Sequence, residues 1–226
     1  MNNENLEIWE EVFKRQSWGQ YPTVCIIKFI AKNFYKAPVR KDIKILELGC
    51  GAGANLWYIA REGFTVYGID GSPTAAQRTQ KKLVENGLIG QIGVIEFGDY
   101  YDLLADYDDG YFDAIIDLES LYCNPFDRTK EIVQLAFDKL KSGGAMFSQT
   151  FAEGTYGLDG ENVDYHAVIP AEGPMSGKGF SRYTSESDIE KLYKLDCNII
   201  TNIERQELHF QNGHAIKEWL IELKKT

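Results

Sequence analysis

The sequence has 226 residues, of which 44% are hydrophobic and 26% are charged, a composition typical of a folded chain with one sizeable core. The net charge of −10 disfavours a nucleic-acid partner, because a phosphate backbone would be repelled. The four cysteines match no zinc or disulfide pattern, the amino terminus lacks a secretory signal, and no run of ~18 apolar residues could cross a bilayer. We therefore expect one cytoplasmic domain over residues 1–226.

Two helices are predicted before any strand. Apolar residues from Ile8 to Phe13 recur at helical spacing, and a second apolar stripe runs from Ile26 to Phe34 after Pro22, a residue suited to the first turn of a helix. We expect residues 1–40 to form a helical extension of the domain.

Strands and helices alternate from Ile43 onward. Five short apolar runs are predicted to be strands, at residues 43–48, 65–69, 93–97, 112–117 and 145–151. Ser72-Pro73 and Asn124-Pro125 are typical starts for two of the intervening helices, and Gly143-Gly144 is expected to separate the second of these from the fifth strand. This order favours parallel pairing, and therefore a doubly wound α/β sheet with helices on both faces.

The C-terminal part departs from this alternation. Ser185 and Asp188 have the spacing of a capping box for a short helix. Two strand-like segments, 198–210 and 214–223, flank Asn212-Gly213, a dipeptide typical of a two-residue hairpin turn. The sequence thus predicts an antiparallel hairpin at the end of the sheet.

A long stretch without clear periodicity follows the fifth predicted strand. Residues 151–182 contain six glycines and exceed the ~12–15 residues usual for a connection without secondary structure. The stretch leaves the carboxyl edge of the sheet, where open α/β sheets bind ligands. We therefore expect a cap-like insertion over an active site, and a mobile surface insertion is the alternative.

A glycine-rich turn follows the first predicted strand. Gly49, Gly51 and Ala54 fit the dinucleotide pattern G-x-G-x-x-G/A, so a nicotinamide-dependent oxidoreductase is an open alternative. A pyrophosphate needs positive charge nearby, yet Glu47 precedes the turn and no Lys or Arg lies between residues 44 and 61. A ligand with a positive group fits this turn better.

This turn and the ordered elements around it resemble the class I S-adenosylmethionine-dependent methyltransferases, over residues 43 to 225. The resemblance implies a seven-stranded, mostly parallel sheet of order 3-2-1-4-5-7-6 and S-adenosylmethionine as the cofactor. It further implies that Glu47 contacts the amino group of the methionine part and that Asp70 takes the ribose hydroxyls. Other positions that it assigns to the cofactor are Gly49, Cys50, Gly51, Gly53, Gly71, Ser72, Asp99, Tyr100, Asp117 and Leu118.

Some of these assignments have alternatives. The resemblance places Asp99 and Tyr100 at the adenine and Asp117 at the methyl end of the pocket. Asp99 as a helix cap and Asp117 as a solvated strand end remain open. Trp18 and Tyr21, between the two N-terminal helices, are candidates to cover the sulfonium, because an aromatic face favours a cation, and core packing is their alternative.

Methyl transfer from a sulfonium depends mainly on positioning the acceptor and excluding water, so a general base is optional. Glu119, after the fourth strand, is the candidate base favoured by position, and His166 is the candidate favoured by chemistry. Tyr122, Tyr156 and Arg182 are further candidates. A solvated or capping role is the alternative for His166.

Several subclasses can be compared with the residues present. The N/D-P-P-Y/F pattern of methyltransferases acting on amino groups of nucleic-acid bases and glutamine is absent, because Asp117-Leu118-Glu119-Ser120 stands there. Cys123 lacks the preceding proline of pyrimidine carbon chemistry. No metal is predicted, although Asp117 and Glu119 leave a magnesium site open.

The sequence therefore predicts a methyltransferase that acts on an oxygen or nitrogen of a small-molecule acceptor, without a nucleic-acid or membrane partner. A nicotinamide-dependent oxidoreductase and a non-catalytic S-adenosylmethionine-binding protein are the alternatives.

Overall fold

The computed structural model describes residues 3–17 and 19–226 of the chain. Its strands are β1 (Lys44–Leu48), β2 (Thr65–Asp70), β3 (Ile92–Phe97), β4 (Phe112–Leu118), β5 (Leu140–Phe151), β6 (Ala167–Val168), β7 (Ser181–Arg182), β8 (Asn198–His209) and β9 (Ala215–Lys225). Seven of them form one sheet in the order β3-β2-β1-β4-β5-β9-β8, while β6 and β7 pair separately. This confirms the predicted sheet order and its antiparallel C-terminal hairpin.

The described helices are α1 (Asn3–Arg15), α2 (Val24–Phe34), α3 (Ala54–Arg61), α4 (Pro73–Glu85), α5 (Tyr100–Ala105), α6 (Phe126–Lys139) and α7 (Glu186–Tyr193). Ser72 caps α4 by accepting a hydrogen bond from the Ala75 amide at 3.1 Å, and the capping box of Ser185 and Asp188 is present at α7. Both follow from the preference of short polar side chains for the first turn.

The apolar core lies on both faces of the sheet. Leu46 and Leu48 face one hydrophobic cluster, while Ile45, the residue before Leu46, faces the other, as the two-residue period of a strand requires. Helices α6 and α7 contribute to the first cluster, and α2 and α3 to the second. The predicted arrangement of helices on both faces is therefore confirmed. Within the described ranges, no helix combines the length and apolar character that crossing a membrane would take.

Two local predictions are wrong. The fifth strand begins at Leu140, so Gly143-Gly144 lies inside it rather than before it. The register between β4 and β5 shifts near Phe112, and such a bulge accommodates Gly143 at a φ of 76°. The hairpin turn has three residues instead of two, because the Phe210 amide donates to the His214 carbonyl at 2.9 Å and Gly213 adopts a φ of 86°.

Candidate active site

A cavity of about 760 Å³ opens at the carboxyl edge of the sheet. Its walls come from the turn after β1, the ends of β2 and β4, helix α1, residues 174–178 and the β8–β9 hairpin. Eleven of the sequence-predicted site residues line it: Tyr21, Glu47, Gly49, Cys50, Gly51, Asp70, Gly71, Tyr100, Leu118, Glu119 and Tyr122. The end of the cavity near Glu47 and Asp70 is called the cofactor end below.

The glycine turn brings backbone to the wall of the cavity. Gly49, Gly51 and Gly53 have φ values of 73°, 54° and 75°, a left-handed region that glycine adopts readily. A Cβ on Gly49 would overlap the Ser120 side chain, which packs directly against the turn. The turn thus needs glycine at position 49 both for its backbone conformation and for its packing.

Glu47 presents a buried carboxyl group to the cavity. Its side chain is 2% exposed, and Oε1 accepts a hydrogen bond from Asn55 Nδ2 at 2.6 Å. Among the described residues, Oε2 has no hydrogen-bond partner. Burial raises the pKa of Glu47 to about 8, and the nearby carboxylates of Asp70 and Asp117 add to this effect. An unpaired buried oxygen is costly, so this position fits a ligand that donates a hydrogen bond.

Asp70 is held in place by two backbone amides. Its Oδ2 accepts from the Gly51 amide and its Oδ1 from the Ser72 amide, both at 2.8 Å. Burial raises the pKa of Asp70 to about 6 despite these hydrogen bonds. Each carboxylate oxygen still has capacity for a further donor, so Asp70 can accept from ligand hydroxyl groups.

A second pair of carboxyl groups, those of Glu119 and Glu218, also lines the cavity. The side chains of Glu119 and Glu218 are hydrogen-bonded to each other. Glu119 has a left-handed backbone with a φ of 52°, and its amide donates to the Gln149 carbonyl at 2.9 Å. Glu218 also accepts hydrogen bonds from two side-chain amides, those of Gln149, at 2.8 Å, and of Gln206.

The two members of this pair differ in proton affinity. Burial and the neighbouring Glu218 raise the pKa of Glu119 well above its usual value. Glu218 is also buried, yet hydrogen bonds from Glu119, Gln206 and Gln149 hold its pKa below the usual value. These opposite shifts favour the shared proton on Glu119 and the negative charge on Glu218.

Tyr122 lies beside this pair but is not placed as a base. It is 2% exposed, its hydroxyl donates to Met175 Sδ at 3.5 Å, and its ring packs edge-on against Phe151. Burial raises its pKa well above the usual value, which keeps the phenol neutral.

Asp117 and Asp99, which the resemblance assigns to the methyl end and to the adenine, do not line the cavity. Asp117 is fully buried behind it, where Oδ1 accepts from the Ser120 and Leu121 amides and Oδ2 from the Ser148 hydroxyl. It therefore shapes the turn after β4. Asp99 caps α5 by accepting from the Tyr101 amide at 2.9 Å, which is its alternative interpretation.

Gly53 and Ser72 position the helices that pack next to the cofactor end. A Cβ on Gly53 would press on Thr79 of α4, so this glycine permits close helix packing. The Ser72 hydroxyl both caps α4 and donates to Glu10 of α1. Neither residue lines the cavity.

His166 is held away from the cavity by a buried carboxylate. Its Nδ1 lies 2.6 Å from Asp188 Oδ2, and its ring stacks between those of Tyr165 and Tyr183. The hydrogen bond to Asp188 and the two stacks satisfy the side chain away from the cavity. The structure therefore does not place His166 at the cavity wall, where a base would have to reach the acceptor.

Tyr156 and Arg182 are likewise engaged elsewhere. The Tyr156 ring stacks on His214 with centroids 3.6 Å apart, and its hydroxyl donates to Glu172. Arg182 is fully buried and donates to Thr184 Oγ1 at 3.1 Å. Neither lines the cavity. Trp18 lies outside the described residues. Tyr21, the other candidate to cover the sulfonium, lines the cavity, and 77% of its surface is exposed.

Several cavity residues were not predicted from the sequence. They are Leu6, Trp9 and Phe13 of α1, Pro174, Met175 and Lys178 of the long loop, and Gln206, Ile216 and Glu218 of the hairpin. The hairpin signal could have indicated Glu218, because an antiparallel strand starts at the edge where its parallel neighbour ends. In the described ranges, no group of three or more His, Cys, Asp or Glu residues is placed to hold a metal ion.

Residues 45–144 match the sequence model of a family described as a methyltransferase domain. Among curated proteins, the ribosomal RNA small subunit methyltransferase C of Alcanivorax borkumensis is 41% identical over 52 residues, which cover 23% of this chain. The sterol 24-C-methyltransferase erg-4 of Neurospora crassa is 26% identical over 133 residues, or 58% of this chain. These matches span only 16% and 33% of the two relatives' lengths.

The fold also matches solved structures over its whole length. Magnesium protoporphyrin IX methyltransferase from Synechocystis PCC 6803, solved with bound S-adenosylhomocysteine, aligns with a TM-score of 0.64. The alignment covers 100% of this chain and 96% of that one at 19% identity. At this identity the likeness concerns the fold.

Proposed function

The chain belongs to the class I S-adenosylmethionine-dependent methyltransferases, and on this premise we propose that it transfers a methyl group to an oxygen or nitrogen of a small-molecule acceptor. The observation that supports this most is the unpartnered Oε2 of Glu47 beside the glycine turn. A buried carboxylate there favours a ligand with an ammonium group. It opposes the pyrophosphate that a nicotinamide-dependent oxidoreductase would bind at this turn.

We propose that the cofactor end holds S-adenosylmethionine. Glu47 would accept from its amino group, Asp70 from its ribose hydroxyls, and the backbone at Gly49 and Gly51 would pack against it. When bound, the cofactor supplies a methyl carbon on a sulfonium: the acceptor lone pair bonds to this carbon while the carbon–sulfur bond breaks, and its electrons remain on sulfur.

Helix α1 and the segment 151–182 are the proposed closing elements of this site. Leu6, Trp9 and Phe13 of α1 line the cavity. Asn5 links α1 to the segment after β4 and to the segment 151–182. Its Nδ2 donates to the Cys123 carbonyl and its Oδ1 accepts from the Phe180 amide, each at 3.1 Å. Exclusion of water by these elements would strengthen the electrostatic contacts within the cavity.

A small molecule is the proposed acceptor, and nucleic acid and membrane are not proposed partners. The net charge of −10 opposes a polyanion, and the match to the ribosomal RNA methyltransferase covers only 52 residues. The four cysteines are free, which fits the cytoplasm, the compartment that we propose.

Calorimetry with S-adenosylhomocysteine tests the proposal directly. We expect wild-type protein to bind it, with NADH as a negative control, and incubation of metabolite extract with S-adenosylmethionine to yield a product heavier by one CH₂. NADH binding in place of S-adenosylhomocysteine would refute the assignment. Binding without any methylated product would instead favour a non-catalytic cofactor-binding protein.

A further inference from the structure

Acidic residues outnumber basic ones in the wall of the cavity. Five acidic side chains are part of the wall, namely Glu47, Asp70, Glu119, Glu207 and Glu218. Lys178 is the one basic residue among the described residues of the wall. Glu47 and Asp70 belong to the cofactor end, so the imbalance also concerns the rest of the cavity, which is left for the acceptor.

The wall around Glu119 and Glu218 is otherwise apolar. The cavity around the pair is lined by Tyr122, Phe151, Met175 and Ile216. We call these residues, together with Glu119, Glu218, Lys178 and Gln206, the acceptor end of the cavity. Phe151 and Glu218 are register partners of β5 and β9, which fixes the carboxyl pair at the sheet edge. A molecule bound there would meet an apolar surface with an anionic spot at Glu218 and one basic residue, Lys178.

The hydrogen bonds of Glu218 orient this anionic spot. Gln149 and Gln206 donate to it from two strands, and Glu119 completes its shell. Gln149 is itself fixed, because its Oε1 accepts from Cys25 Sγ at 3.1 Å. The charge is therefore held by a network of side chains rather than by a mobile surface residue.

We propose that the acceptor is a largely apolar amine that binds as its ammonium cation, and that Glu218, paired with Glu119, receives its proton. This inference rests on the proposed methyl transfer. The N–H bond breaks, its electron pair remains on nitrogen as the lone pair that methyl transfer requires, and the proton moves to the Glu218 carboxylate. The methylated product is again an ammonium ion.

Other acceptor classes fit the acceptor end less well. An acceptor carboxylate would be repelled by Glu218, and Lys178 can offset one negative charge only. A hydroxyl group has no positive charge to pair with Glu218, and it holds its proton more tightly than an ammonium group does.

Binding of three matched probes tests this inference without turnover. Calorimetry on protein saturated with S-adenosylhomocysteine would compare phenethylamine, 2-phenylethanol and 3-phenylpropanoate. We expect the amine to bind at least about tenfold more tightly than the alcohol, the ratio typical for a hydrogen bond to a buried charge. Equal or preferential binding of the alcohol or the acid, or no binding of any probe, would overturn the amine assignment.

Two substitutions distinguish the members of the pair. E218Q should abolish the preference for the amine, whereas E119Q should retain it within about threefold, because an amide and a protonated carboxyl are both neutral donors. E204Q, which removes an exposed charge of β8, is the matched control and should behave as wild type. Retention of the preference in folded E218Q would overturn the role of Glu218.

A turnover experiment on fractionated metabolite extract separates this inference from the proposed function. Extract would be divided by ion exchange into cationic, neutral and anionic pools, each incubated with S-adenosylmethionine. Product from the cationic pool supports the amine assignment, while product from another pool alone overturns it and leaves methyl transfer intact. Failure to bind S-adenosylhomocysteine would overturn both.

Discussion

The cofactor end and the acceptor end of the cavity are assembled in different ways. The cofactor end comes from a single turn, with Glu47 and Gly51 four residues apart, and from Asp70 on the adjacent strand. The acceptor end combines the segment after β4, the long loop and the β8–β9 hairpin, with Glu119 and Glu218 99 positions apart. Local backbone conformation builds the first end, whereas long-range side-chain hydrogen bonds build the second. The comparison indicates that cofactor binding should depend on backbone geometry and acceptor choice on side-chain charge.

The largest effect is expected from a methyl group on the glycine turn. Gly49→Ala combines a left-handed backbone, which costs about 1–2 kcal/mol, with an overlap on Ser120 that adds about 1–3 kcal/mol. We expect a lowered melting temperature and loss of S-adenosylhomocysteine binding. Gly87→Ala is the matched control, because Gly87 has the same φ of 73° and open space around it. Equal destabilisation of both variants would contradict the packing role of position 49.

Glu47→Gln should weaken S-adenosylhomocysteine binding by about 10- to 100-fold, since a hydrogen bond to a charged group contributes about 1.5–3 kcal/mol. Exposed Glu85, which pairs with Lys81, provides the control variant Glu85→Gln. Calorimetry measures both. Unchanged affinity in Glu47→Gln would remove the main support for an ammonium ligand at the cofactor end.

The same residue should make the ligand-free protein less stable as pH rises. The pKa of Glu47 is about 8 in the folded state against an ordinary 4.5, so between these values the folded protein holds a proton that the unfolded chain has lost. The free energy of unfolding therefore falls as pH increases across this range. Melting temperatures from pH 5 to 8 should decline less steeply in Glu47→Gln, where Asp70 and Asp117, with pKa values near 6, still contribute. Parallel curves for both proteins would contradict this.

A smaller effect is expected where α1 docks beside the cofactor end. Glu10 accepts hydrogen bonds from the Ser72 hydroxyl and from the amide and hydroxyl of Thr74, which lower its pKa to about 2 despite desolvation. Glu10→Gln should reduce S-adenosylhomocysteine affinity by about three- to tenfold, because loss of charged hydrogen bonds loosens α1. Hydrogen exchange in α1 should become faster than in Glu11→Gln, which removes an exposed charge of the same helix. Identical exchange in the two variants would argue against this anchor.

The smallest effect on turnover is expected at His166. His166→Asn retains a residue that tolerates the left-handed φ of 51° but removes the ring stacked between two tyrosines. We expect methyl-transfer rates within about twofold of wild type and a stability loss of about 1 kcal/mol. A fall in turnover of about a hundredfold, the scale of a lost general base, would restore His166 as a catalytic candidate.

The elements of the sheet and the cofactor end were largely determined by sequence patterns. Apolar runs, Ser72 before Pro73, and the glycine turn beside Glu47 each act over a few residues, where the conformational preferences of the backbone decide the outcome. Parallel strands then place Glu47 and Asp70 at one edge because their carboxyl ends coincide. These features needed no knowledge of distant contacts.

Only the tertiary structure decided which polar residues meet at the acceptor end. His166 has the chemistry of a base, yet the buried Asp188 holds it elsewhere. Glu218 showed no pattern of its own, yet the pairing of β9 with β5 brings it to Glu119. A carboxylate acquires its function from the charges and burial around it, and these depend on contacts between segments far apart in the chain.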